Sequence, residues 1–226
     1  MTAEKALKLT GFESVLFDLD GTLADTAPDL AFALNETLTH FNREPLPFNK
    51  IRPFVTFGGA ALVSLGFNLQ PEDTDFGIYR EYLLKIYQDN ICKETDLFDG
   101  MHEVLTSLEE KQISWGVVTN KPSWLTDPLM DAMRLTDRAA CIVSGDTCKN
   151  RKPHPEPILH ACKLANANPE KTIYVGDALR DMQAGNAAGC TTVAALFGYL
   201  NEDDTPENWN ADISINHASE LLDLIE

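Results

Sequence analysis

The chain of 226 residues is 44% hydrophobic, enough for one well-filled core and a smaller second one. Its 18 basic and 35 acidic side chains leave a net charge of -17, a field that repels nucleic acid and anionic membranes and argues against both as partners. The same field repels small phosphorylated metabolites, so a site for one must invert the sign locally with a cation, a lysine or backbone N–H groups. No stretch approaches the roughly 20 apolar residues that span a bilayer, and residues 1–10 lack the apolar run of a signal peptide. The five cysteines (Cys92, Cys141, Cys148, Cys162 and Cys190) are odd in number and show no C-x-x-C spacing. They point to a reducing cytoplasm and away from a disulfide framework or zinc site, with Cys141 read as a small core hydrophobe.

The first predicted element is a buried strand at 15–17, which ends abruptly in Asp18-Leu19-Asp20-Gly21-Thr22. From there to about residue 97 the sequence predicts only helices, at 28–40, 60–65 and 76–87, divided by Pro45, Pro47, Pro53, Gly58-Gly59 and Pro71. Residues 25–96 therefore read as a helical cap domain inserted after the first strand, with residues 1–24 and 97–226 forming the core. Beyond it, helices at 101–111, 124–135, 156–167 and 181–188 alternate with strands at 115–118, 141–143, 173–175 and 192–197, and a weaker strand at 212–215. The strands are apolar without alternation, as expected when both faces are covered. Strand alternating with helix predicts an α/β doubly wound parallel sheet. An insert after the first strand sits over the carboxyl ends of the strands, where such sheets bind ligands, and can act as a lid.

The strand ends carry the chemistry. The first ends in Asp18 and Asp20, the second in Thr119-Asn120-Lys121, the third in Ser144-Gly145-Asp146 with Arg151-Lys152-Pro153 soon after, and the fourth in Gly176-Asp177 with Asp181 one helical turn on. In a parallel sheet these ends lie on one side and converge on one crevice. Buried neighbouring carboxylates are costly unless a cation or a proton compensates them. The set suits phosphoryl transfer through an aspartyl phosphate on a Mg2+ site. Asp18 is the expected nucleophile and Asp20 the acid and base. Thr119 and Asn120 are expected to hold phosphate oxygens, and Lys152 to neutralise charge. Asp18, Asp20, Asp177 and Asp181 are the candidate metal groups, Asp181 either as a ligand or through a bound water.

These motifs resemble the haloacid dehalogenase superfamily in its phosphatase branch: 18–22 matches the first motif, Thr119-Asn120 the second, Lys152-Pro153 the third, and Gly176-Asp177 through Asp181 the fourth. The resemblance implies a Rossmann-like core with a helical cap, a small phosphorylated metabolite as substrate, and Mg2+ held by Asp18, the backbone of Asp20, and Asp177. Residues 17–30, 119–122 and 152–157 are similar to phosphoglycolate phosphatases. Gly58-Gly59-Ala60, residues 115–122 and 150–157, and the tail from Gly198-Tyr199-Leu200 to Asp212 resemble N-acetylmuramic acid 6-phosphate phosphatases.

Several readings stay open on the residues alone. Gly58-Gly59 is a substrate loop or a helix boundary. Trp124 and Trp209 stack on a sugar or pack in the core, with core packing favoured. Lys121 and Arg151 help draw in an anion or are solvated surface charges, with the surface reading favoured. The five histidines share no ligand spacing. A phosphomutase would use the same carboxylates, and a signalling receiver would carry a lasting phosphoaspartate, but a receiver has no need for Asp20 or a cap.

Overall fold

Strand β1 (Ser14–Phe17) is wholly buried and lies in the middle of a six-stranded sheet. The computed structural model describes residues 11–225, so the reading of residues 1–10 lies outside it. The other strands of the sheet are β4 (Ser114–Val118), β5 (Cys141–Val143), β6 (Thr172–Gly176), β7 (Thr191–Ala195) and β8 (Ile213–Ile215), in the order β5-β4-β1-β6-β7-β8. Every pairing is parallel, as the predicted strands require. Phe17 is level with Val117 on one neighbour and Val175 on the other, so the three central strands finish together.

Alternate residues of each strand face opposite layers. Val15, Phe17, Val117 and Val175 pack with α5 (Met101–Glu110), α6 (Ser123–Ala132) and α9 (Glu220–Leu224). Leu16, Val118, Val143 and Tyr174 pack with α7 (Glu156–Leu164) and α8 (Leu179–Ala188) on the other face.

The first strand leaves the sheet into β2 (Ala24–Asp25), and the chain returns through β3 (Asp96–Leu97), the two pairing antiparallel. Between them lie α1 (Ala27–His40), α2 (Phe48–Ile51), a 3-10 segment (Arg52–Phe57), α3 (Gly58–Phe67) and α4 (Phe76–Asp89). Helix α1 begins with a proline in its first turn and an acidic residue beside the positive end of the helix dipole. Its Leu30, Leu34 and Leu38 meet Leu62, Leu83 and Tyr87 in a hydrophobic core belonging to the insert. The buried Asp29 carboxylate accepts the main-chain N–H groups of Lys93, Glu94 and Thr95 and the Thr95 hydroxyl, pinning the returning chain to α1.

The structure corrects the sequence reading in detail. Strands β2 and β3 lie where no strand was expected, because two-residue strands carry no periodicity. Residues 48–57 are helical despite Pro53, which sits in the first turn of the 3-10 segment, where no N–H is needed. Strand β7 ends at Ala195, and the Gly198 N–H turns back onto the Ala195 carbonyl. Among the described residues no helix is long and apolar enough to cross a membrane, and Cys141 is a buried free thiol.

Candidate active site

Asp18 follows the last residue of β1, and its N–H still bonds to the Val175 carbonyl of β6. Its carboxylate is almost fully buried. Oδ1 accepts the Leu19 N–H at 2.7 Å and faces Lys152 Nζ at 2.9 Å, while Arg180 Nη2 lies 3.9 Å from Oδ2. Burial pushes the Asp18 carboxyl upward, against the pull of the Lys152 ammonium. Lys152 has four oxygens around it: Asp18, Asp181 Oδ1 at 2.8 Å, the Val118 carbonyl at 2.7 Å and the Tyr174 hydroxyl at 2.8 Å. A buried ammonium is tolerable only with such a full set of acceptors.

Asp18, Asp177 and Asp181 place one carboxylate oxygen each within 4.8 Å of one another, all three buried. Asp177 Oδ2 accepts the Tyr199 N–H at 2.9 Å. Burial, together with the negative Asp18 and Asp181, raises Asp177 to about 8. Three crowded carboxylates with one lysine against them are a donor set of hard oxygens, which fits a divalent cation such as Mg2+. Asp181 Oδ1 is already engaged by Lys152 and its Oδ2 accepts the Ala178 N–H, so it is the most occupied of the three. Gly21 has φ +87°, and a Cβ there would overlap Asp177 Oδ2, so the backbone can pass this close only as glycine.

The Asp20 carboxylate is not part of that cluster. Its Oδ1 accepts the Thr26 hydroxyl at 2.6 Å and pairs with Lys121 Nζ at 2.8 Å. Lys121 also donates to the Tyr87 hydroxyl at 2.9 Å. The reading of Lys121 as a solvated surface charge is therefore corrected: its side chain is 6% exposed. Its partners Asp20 and Tyr87 come from the segment after β1 and from α4, too distant in sequence for local pattern to reveal.

Thr119 is buried at the end of β4. The Asn120 carboxamide is spent on Lys152, donating to its carbonyl and accepting its N–H at 3.0 and 3.1 Å. Both Thr119 and Asn120 line a cavity of about 680 Å3 that also holds Asp18, Asp20 and, from the insert, Gly58 and Gly59. Gly58 begins α3 at φ +75°, so the glycine pair is a helix boundary that also lines the cavity. Trp124 is 43% exposed and faces the cavity, against the core reading, whereas Trp209 is buried with Met182 and Ala194 as expected. Arg151 is exposed at the same cavity.

Four residues given no role from sequence reach this site. Arg180 bonds to Thr56 of the insert at 2.9 Å while standing near Asp18. Its place between Asp177 and Asp181 was the available signal. Tyr174 and Tyr199 bond to Lys152 and Asp177. Arg80 of α4 lines the cavity, with no pattern to mark it.

A parallel α/β sheet with a helical insert over its strand ends, and a buried lysine among carboxylates at those ends, fits a hydrolase core with a cap. The pattern of the haloacid dehalogenase-like hydrolase family matches residues 15–195. The chain belongs to that family, in its phosphatase branch. It is 39% identical over 213 residues to the N-acetylmuramic acid 6-phosphate phosphatase of Pseudomonas putida KT2440, covering 94% of this chain and 96% of that protein. Over 199 residues it is 38% identical to the phosphoglycolate phosphatase of Xylella fastidiosa Temecula1, covering 88% and 86%. The crystal structure of a predicted phosphoglycolate phosphatase from Haemophilus somnus 129PT has a TM-score of 0.82 at 25% identity, covering 93% of this chain and 96% of that one.

Proposed function

We propose that the protein is a Mg2+-dependent phosphatase that hydrolyses a sugar-sized phosphomonoester through an aspartyl phosphate, with N-acetylmuramic acid 6-phosphate preferred over 2-phosphoglycolate. The observation that carries the chemistry is the contrast between two carboxylates two residues apart. Asp18 is locked beside Lys152 at the cation cluster, while Asp20 is held away from it by Thr26 and Lys121. Different environments for paired carboxylates mark different roles.

Asp18 attacks phosphorus, and the bond to the leaving oxygen breaks as Asp20 delivers a proton to it. Asp20 then takes a proton from water, whose oxygen attacks phosphorus and breaks the bond to Asp18, releasing inorganic phosphate. Lys152 holds Asp18 in place and offsets the charge gathered there. In this reading the Thr119 hydroxyl and the main-chain N–H of Asn120 bind phosphate oxygens, the Asn120 carboxamide serving to seat Lys152. Asp18, Asp177 and the Asp20 carbonyl would hold the cation, with Asp181 holding Lys152 beside it. When bound, the cation supplies charge neutralisation at the phosphate oxygens.

The cap comprises residues 25–96 in this reading, with Gly58 and Gly59 facing the organic part of the substrate. The cavity of about 680 Å3 supports the sugar, since sites enclosing drug-sized molecules run from roughly 300 to 1,000 Å3 and a two-carbon acid leaves most of this one empty. Free thiols suit a cytoplasmic setting. The test is kcat/KM for N-acetylmuramic acid 6-phosphate and 2-phosphoglycolate, side by side with Mg2+. A large preference for the sugar is expected; a large preference for phosphoglycolate overturns the substrate assignment and leaves the chemistry standing.

A further inference from the structure

We propose that Lys121 is a positioning residue that clasps Asp20 to cap helix α4 through Tyr87, so that the acid is aimed at the leaving group only when the cap is seated. The proposal rests on the role of Asp20 given above. Asp20 belongs to the core segment after β1, and Tyr87 to the last turns of α4, where it is fully buried in the core of the insert. Between them stands one ammonium, 2.8 Å from Asp20 Oδ1, 2.9 Å from the Tyr87 hydroxyl and 4.6 Å from the centre of its ring. The three groups form a continuous bridge from core to insert.

The bridge also fixes the direction in which Asp20 points. Lys121 and Thr26 both grip Oδ1, and Thr26 lies in the crossing between β2 and α1. Oδ2 has no hydrogen-bond partner among the described residues, and Asp20 lines the cavity. Two donors on one oxygen stop rotation of the carboxylate and leave the other oxygen for proton transfer. Stability alone is a poor reason to keep a lysine at this depth, because a buried ion pair rarely outdoes apolar side chains of equal size. Proton transfer, by contrast, is sensitive to placement on the scale of an ångström.

The test compares wild type, Lys121→Met, Tyr87→Phe, the double variant and Asp20→Ala in the full-length Mg2+-loaded enzyme. The readout is kcat/KM, which reports the first phosphoryl transfer, for an alkyl phosphate substrate and for 4-nitrophenyl phosphate, whose leaving group needs no acid. Lys121→Met is expected to lose about tenfold or more on the alkyl phosphate and under about threefold on 4-nitrophenyl phosphate. Tyr87→Phe should lose less in the same direction, and the double variant no more than Lys121→Met, since the residues act as one unit. The inhibition constant for inorganic phosphate should stay unchanged. Equal losses on both substrates for Lys121→Met, or a weakened inhibition constant, overturn the clasp while Asp20→Ala still discriminates. If Asp20→Ala also loses equally on both, the acid role of Asp20 falls, and the clasp with it.

Discussion

The Lys152 ammonium lies 2.9 Å from the Asp18 carboxylate with its own side chain wholly out of solvent. A second carboxylate, Asp181, holds it at 2.8 Å from the other element of the site, the first turn of α8. One cation thus ties the end of β1 to α8 and stands beside the proposed nucleophile. Removing one member of a buried pair leaves an uncompensated charge and costs about 3–5 kcal/mol. Lys152→Met should therefore lower the urea midpoint of the Mg2+-free protein markedly and reduce kcat by about a hundredfold or more. A variant with wild-type stability would show that the pair carries little of the fold.

Asp18→Asn separates chemistry from packing. The amide keeps the shape of the carboxylate but cannot attack phosphorus, and it takes one negative charge out of a cluster of three. Turnover should fall about a thousandfold or more, while the melting temperature of the Mg2+-free protein holds or rises. Residual activity of a few per cent would rule out Asp18 as the nucleophile.

Sequence legibility tracks the kind of signal each feature leaves. The central strands were readable because continuous apolar runs around Val15, Val117, Ile173 and Val193 end in turn residues. Their shared strand-end carboxylates made Asp18, Asp177, Asp181 and Lys152 readable as one site, and the structure brings these four together. Strands β2 and β3 were not readable, since two residues pair through backbone alone. Lys121 read as a surface charge and Arg80 carried no mark, because their surroundings, Tyr87 and the cavity, are set by tertiary folding. Asn120 lines the cavity, but its carboxamide faces Lys152, which spacing along a chain does not encode.

Cation binding and pH are linked through Asp177. Its carboxyl is raised to about 8 by burial and by Asp18 and Asp181. A carboxyl with a higher pKa folded than unfolded contributes stability below its unfolded value of 3.8, and that contribution is lost as pH rises toward about 8. The loss is on the order of 5 kcal/mol at its upper bound. A bound cation must displace the same proton, so its affinity rises with pH over this window. The melting temperature of the chelated protein should fall between pH 5 and 8.5, and the rise produced by Mg2+ should grow over the same range. Chelation should abolish turnover and Mg2+ restore it. A Mg2+ shift independent of pH would show that Asp177 is already ionised in the folded protein.

Trp124 gives the most direct handle on the organic half of the substrate. It stands in the first turn of α6, 43% exposed, with its indole at the cavity rather than in the core. An exposed indole contributes little to stability, so Trp124→Ala should leave the melting temperature within about a degree or two. If the ring packs on the apolar face of a sugar, its loss removes about 0.5–1.5 kcal/mol of contact, a KM increase of roughly two- to tenfold. A two-carbon phosphate bound at Asp18 and Lys152 is too short to use the ring fully. The KM for N-acetylmuramic acid 6-phosphate should therefore rise in Trp124→Ala while that for 2-phosphoglycolate holds. Equal changes for both substrates would place Trp124 outside the sugar subsite and shift that role to the insert, where Arg80, Gly58 and Gly59 face the same cavity.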